Sequence, residues 1–280
     1  MNLRRGAQFT ILLALCATAL AVCYAPALRG MFDQWSTDED MSHGFAVPLV
    51  IAWIVWRERA RWGKLPLQPS VWGCGFLAAA AGLHFASAVG AGLFAASLAF
   101  LISAVGVILC LGGWVLLRAW AFPLLLSVFM LPKLAIVYNQ ATLPLQLLAS
   151  RLAAFMLTVA GIGVIREGNI LDVGGHQVAV MEACNGVRYL LALAFVALVF
   201  GYLADSKPDS KPWMRVALVA TAIPTAIFAN AARVASASWL PRLDSGTPHT
   251  LAGAAIFLLC LICLGAARQF YNAIYGHYHA

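Results

Sequence analysis

The chain has 280 residues, of which 62% are hydrophobic and 10% charged, and its mean hydropathy is +0.85. So few charges cannot cover a water-facing shell, which excludes a soluble globular enzyme and leaves a polytopic membrane protein. The net charge of +7 lies in short clusters between apolar runs. That pattern argues against a nucleic-acid partner and for basic loops retained in the cytoplasm.

Spans of roughly 20 apolar residues, with Lys and Arg held inside, trace the chain in order. The first, about residues 8 to 28, follows Arg4 and Arg5 and reads as a signal anchor. The second, about 43 to 56, returns to Arg57, Arg59, Arg61 and Lys64, which places residues 29 to 42 outside. The third (about 70 to 88) and fourth (about 92 to 112) form a hairpin through Gly90 and Gly92, and a fifth, about 115 to 131, exits after Arg118.

Residues 133 to 165 hold Lys133, Asn139, Gln140, Pro144, Gln146 and Arg151, a poor match to lipid, and are expected to lie on or dip into the outer leaflet. Glycines 168, 174 and 175 between alternating Ile170, Val173, Val178 and Val180 predict a short extracytoplasmic hairpin over 166 to 183. A sixth span runs from about 185 to 203, a seventh climbs from about 214 to 235 after Lys207, Lys211 and Arg215, and an eighth descends from about 249 to 267. The expectation is an all-α protein of about eight transmembrane helices. It forms a single integral-membrane domain over residues 1–280, without an appended soluble domain.

On this path Cys184, Arg233 and His249, from three different spans, emerge at the outer face. Cys184 stands where an apolar helix begins in Glu182-Ala183-Cys184-Asn185-Gly186-Val187-Arg188. The partial positive charge of a helix start favours the thiolate over a thiol of ordinary pKa, about 8.5. Thiol attack on a carbonyl needs a nucleophile, a proton shuttle and an oxyanion donor, and these three residue types supply them. Arg233 interrupts a helix of Ala, Val and Ile, with Asn230 three residues earlier on the same face. A snorkelling arginine at a helix end is the plainer alternative. His249 follows Thr247 and Pro248, read as N-cap and first helical position, where the helix-end potential disfavours imidazolium.

Other residues compete or support. His176, in the expected hairpin, is a second candidate base. Arg188, four residues after Cys184, shares its helical face and suits either a substrate carboxylate or a lipid phosphate. Arg166 and Glu167 precede the hairpin and either pair with each other or support the site. His84, between Leu83 and Phe85, reads as an interior histidine. The other six cysteines sit in apolar runs and behave as small hydrophobes, Cys260 and Cys263 included. No metal or cofactor motif is present, and the absence of HExxH, GxSxG and a phosphate-cradling loop removes support for zinc proteases, serine hydrolases and nucleotide-driven pumps.

The chain resembles the exosortase family, the membrane thiol transpeptidases of the exosortase and archaeosortase group. The likeness begins with Ser42-His43-Gly44-Phe45-Ala46-Val47-Pro48-Leu49 and continues through Phe129-Met130-Leu131-Pro132, Pro144-Leu145-Gln146, Ala149-Ser150 and Arg166-Glu167-Gly168-Asn169. It is most specific at Glu182 to Leu190, then at Asn230-Ala231-Ala232-Arg233 and at His249 with Gly253. It departs at Asn185, where many relatives carry serine. The resemblance implies a site of Cys184, Arg233 and His249; Arg188, Asn230, Arg166, Glu167 and His176 remain supporting or competing candidates on the residues' own chemistry. It implies cleavage of exported proteins at a C-terminal Pro-Glu-Pro sorting signal through a thioester on Cys184, Arg233 steadying the oxyanion and His249 passing protons. Transfer to an unidentified acceptor would follow, at the periplasmic face of the inner membrane of a bacterium that makes extracellular polysaccharide. The residues alone leave room for a polytopic transporter or a non-catalytic export factor, although the polar residues gather at one face and no internal repeat is evident.

Overall fold

The computed structural model describes residues 3–180, 186–204, 212–243 and 246–278. Two compact units divide the chain, Met1–Leu134 and Ala135–Ala280.

The first unit opens with α1 (Leu3–Cys23) and α2 (Ala25–Thr37), bent by 72°. Pro26 stands in the first turn of α2, where its missing N–H costs nothing and the helix can restart in a new direction. Tyr24, at the bend, hydrogen-bonds Ser103 (2.8 Å) and packs its ring 4.5 Å from the ring of half-buried His84, whose Nδ1 has no hydrogen-bond partner among the described residues. A 3-10 segment, Glu39–Phe45, then leads into α3 (Ala46–Trp62).

The expected hairpin is present as α4 (Trp72–Ala86) and α5 (Gly92–Ala119), joined by a turn with positive φ at Gly90 and Gly92. Gly73 faces Gly106 and Cys110 across it. The fourth predicted segment ends where α5 kinks at Gly113 (φ +67), against which the Gln68 carbonyl leaves no room for a Cβ. Beyond lie α6 (Ala121–Ser127) and a 3-10 turn, Val128–Met130. Lys133 closes the unit with ion pairs to Asp38 (2.6 Å) and buried Asp40 (3.1 Å). Burial opposes the Lys133 charge, but the bonds and charges of the two carboxylates outweigh it and raise its pKa.

The second unit begins with α7 (Ala135–Val159), one continuous helix over the stretch expected to lie on or dip into the outer leaflet. It is long and apolar enough to cross a membrane. Thr142, Gln146 and Ser150, spaced by four, are buried against protein, while Ile136, Leu143 and Phe155 are exposed. A buried polar stripe with apolar residues outside it suits lipid along the middle of the helix, while Asn139, Gln140 and Arg151 are exposed.

A three-stranded antiparallel meander follows, β1 (Ile165–Glu167), β2 (Ile170–Val173) and β3 (His176–Ala179). The expected hairpin is thus present with one further strand. Ser150 Oγ donates to the Gly168 carbonyl (3.0 Å), and Asn169 Nδ2 donates to the Val180 carbonyl (3.1 Å) and to Gln146 Oε1 (3.4 Å). Leu171 and Val180 pack among Ala149, Ala153, Leu157, Val234 and Ala235. The sheet is thereby pinned to α7 and to the later helix that carries Val234 and Ala235.

Helices α8 (Val187–Ala204), α9 (Pro212–Trp239) and α10 (Gly246–Tyr278) complete the unit. Their shared core is rich in alanine (Ala197, Ala222, Ala226, Ala229) around Leu193, Leu218 and Leu264. Small side chains let helices approach closely where lipid supplies no hydrophobic drive.

The protein is a helical multi-pass membrane protein. Among the described residues, four helical stretches are long and apolar enough to cross, or five counting the bent α1–α2 pair. One of them, Trp72–Ala119, is the α4–α5 hairpin. Not all of the expected eight spans meet this criterion: α3 carries Arg57, Glu58, Arg59 and Arg61, and the apolar stretches Val187–Leu203 and Ala121–Met130 are short.

Candidate active site

The site is built at one end of the second unit. Toward the C-terminal end of α9, Asn230 and Arg233 occupy one face and are 3% and 7% exposed. A short 3-10 turn, Pro241–Leu243, leads toward α10. That helix starts at Gly246, one residue before the predicted cap, and His249 falls in its first turn as expected.

Arg233 and His249, 16 residues apart in sequence, meet directly. Arg233 Nη2 lies 2.5 Å from His249 Nε2, and His249 Nδ1 lies 2.7 Å from the Leu243 carbonyl oxygen. A guanidinium only donates and a carbonyl only accepts, so Nε2 is the acceptor and Nδ1 carries the proton. The tautomer therefore follows from the partners.

Two glycines and a tyrosine complete the surroundings. Gly253, one turn after His249, leaves open the space where a Cβ would lie 3.3 Å from the Tyr189 hydroxyl and 3.7 Å from Arg233 Nε. Tyr189 is buried at the start of α8, donates to the Gly253 carbonyl (3.3 Å) and holds its ring 5.9 Å from the Arg233 guanidinium. It thus links α8, α9 and α10 around the arginine. Gly186 has φ +87, and a Cβ there would lie 3.0 Å from Asn230 Cγ and Nδ2. Beside this contact a cleft of about 20 Å³ opens between Leu145, Leu148, Gly186, Leu190, Ile227 and Asn230, room for about one water. Among the described residues Arg233 Nε is buried without a hydrogen-bond partner.

Cys184 lies outside the described residues, two positions before Gly186, and so does its expected distance to Arg233 and His249. Arg188 is half-buried in the first turn of α8. Arg166 donates to the Gly168 carbonyl (2.6 Å), within its own turn. It makes no ion pair with exposed Glu167 among the described residues, since neighbours on a strand point to opposite faces. His176 opens β3 opposite Val173, and no described hydrogen bond joins it to Arg233 or His249. Of the candidates, the structure brings together Arg233 and His249, with Asn230 one turn away. Sequence reasoning missed Tyr189, whose position among aliphatic residues gave no sign of the arginine above it.

The sequence profile of the transmembrane exosortase family matches residues 35–266. The chain belongs to that family. The match runs through both compact units and takes in Gly186, Asn230, Arg233, His249 and Gly253. No curated protein and no solved structure matches the chain. Membership supports a membrane transpeptidase role and clients among exported proteins with C-terminal sorting signals.

Proposed function

We propose that the chain is a thiol-dependent membrane transpeptidase that cuts exported proteins at a C-terminal sorting signal of the Pro-Glu-Pro type. Cys184 attacks the scissile carbonyl, Arg233 receives the oxyanion, and His249 handles protons. The amine leaves with the C-terminal helix of the signal, and a thioester on Cys184 is resolved by an acceptor, whether water, a lipid amine or a glycan. The observation that carries this reading is the Arg233–His249 bond, assembled from two helices one turn from Asn230, against which Gly186 packs; Gly186 follows Cys184 by two residues in the sequence.

The polarity of the second unit supports a periplasmic site. Arg233 and His249 lie at the end where α9 meets α10. At the other end Arg268 lies over the Phe200 ring at 4.7 Å, near the end of α8, after which the sequence holds Lys207 and Lys211 before α9. Basic residues stay in the cytoplasm, which turns the site outward in a bacterial inner membrane. The test is processing of a co-expressed sorting-signal substrate. Cys184→Ala abolishes it while the protein reaches the membrane, and Arg233→Ala nearly abolishes it. Normal maturation by membrane-inserted Cys184→Ala rules out the thioester route.

A further inference from the structure

Both nitrogens of His249 are spent inside the protein. Nε2 accepts from Arg233 and Nδ1 donates to the Leu243 carbonyl, so the ring has no lone pair left for a thiol proton. Arg233 has the opposite surplus. Its guanidinium carries five donors, and among the described residues its Nε is buried without a hydrogen-bond partner. The Tyr189 ring flanks the group, and the hydroxyl of Tyr189 donates to the Gly253 carbonyl.

We propose that Arg233 is a latch on the base: in the resting site it occupies His249 Nε2, and the oxygen of an arriving scissile carbonyl draws the guanidinium away and frees that nitrogen. The proposal rests on Cys184 being the nucleophile. With Nε2 free, the thiol proton of Cys184 passes to it and the sulfur lone pair forms the bond to the carbonyl carbon. The C=O π pair moves onto oxygen, where Arg233 donates to it. On collapse that pair re-forms the carbonyl, the C–N bond breaks, and the proton on Nε2 leaves with the amine. No oxidant or further reactant enters. A site so arranged withholds its nucleophile until a substrate is seated.

The experiment measures carbamidomethylation of Cys184 by iodoacetamide, resolved by peptide mass spectrometry, on the full chain in membranes without substrate at pH 7.5. Arg233→Met frees the base, so the Cys184 rate rises about tenfold or more even as processing is lost. Adding His249→Gln returns it to the wild-type rate. An unchanged or lower rate in Arg233→Met overturns the latch, because a cation that merely stabilises a thiolate gives that result. A measurement on the unaltered protein stands beside it: ¹⁵N NMR of the imidazoles, with His249 assigned through His249→Gln. The latch requires Nδ1–H and an unprotonated Nε2 in the substrate-free protein, and an Nε2–H tautomer overturns it. Failure of the nucleophile itself is distinguishable, because then Cys184→Ala still processes substrate.

Discussion

Gly186→Ala probes the contact that brings the start of α8 against α9. At φ +87 an alanine enters the left-handed region, which costs about 1–2 kcal/mol. Its methyl would lie 3.0–3.1 Å from Asn230 Cβ, Cγ and Nδ2, and over-packing a tight contact costs about 1–3 kcal/mol more. The sum, about 2–5 kcal/mol, is below the roughly 5–15 kcal/mol typical of a folded domain, so the protein still accumulates, with Asn230 and the segment after Cys184 displaced. A shift of about 1 Å at a reacting centre costs about 100-fold in rate. The assay is substrate processing normalised to the amount of protein in the membrane fraction. Gly253→Ala is the comparison, because its Cβ meets only the Tyr189 hydroxyl at 3.3 Å and Arg233 Nε at 3.7 Å, and its loss stays below about tenfold. Wild-type processing by Gly186→Ala would refute the reasoning, because the methyl has nowhere to go unless the α8–α9 contact is absent.

Three further outcomes follow from the same geometry. Burial pushes the His43 pKa below its ordinary 6.5, against the hydrogen bonds of the Asp40 and Phe129 carbonyls and the charge of Asp40. The folded state therefore binds its proton less well than the unfolded chain. Stability present above pH 6.5 declines as pH falls through 6.5 toward the lowered value. Melting temperatures in detergent should drop more steeply there in the wild type than in His43→Asn, and parallel curves contradict the assignment. Asn169→Ala strands the Val180 carbonyl and Gln146 Oε1, costs about 1–3 kcal/mol of stability and reduces processing, because Val180 leads into the Cys184 segment. Unaltered melting and processing would show that this latch positions nothing. Charge reversal by Arg188→Glu lowers cleavage of a Pro-Glu-Pro substrate and is rescued by Lys in place of the substrate glutamate. Absence of rescue assigns Arg188 to another role.

The hairpin of α4 and α5 was legible because Gly90 and Gly92 punctuate two long apolar runs, and the strands after Arg166 because alternation and paired glycines coincide. The pairing of Arg233 and His249 was legible as chemistry, since a buried guanidinium needs a reason. What the sequence hid was direction. Gln146 counted among the residues unfit for lipid, whereas it stands with Thr142 and Ser150 at four-residue spacing in a stripe turned toward protein, which leaves Leu143 and Phe155 outside. Composition alone does not distinguish a helix lying on a bilayer from one crossing it with its polar stripe buried. Of the two readings open for Arg166, a pair with Glu167 is not found among the described residues, because on a strand the two side chains diverge. Tyr189 escaped notice because its function depends on the arginine of another helix.

The central claim is that Cys184 carries the cleaved protein as a thioester. Rapid acid quenching of membranes containing the enzyme and a sorting-signal substrate, followed by mass spectrometry, tests it directly. The account predicts the upstream fragment of the substrate attached to Cys184 and released by hydroxylamine, with Arg233→Ala depleting the adduct. Continued processing with no adduct on Cys184 at any quench time, or an adduct on another residue, would contradict it.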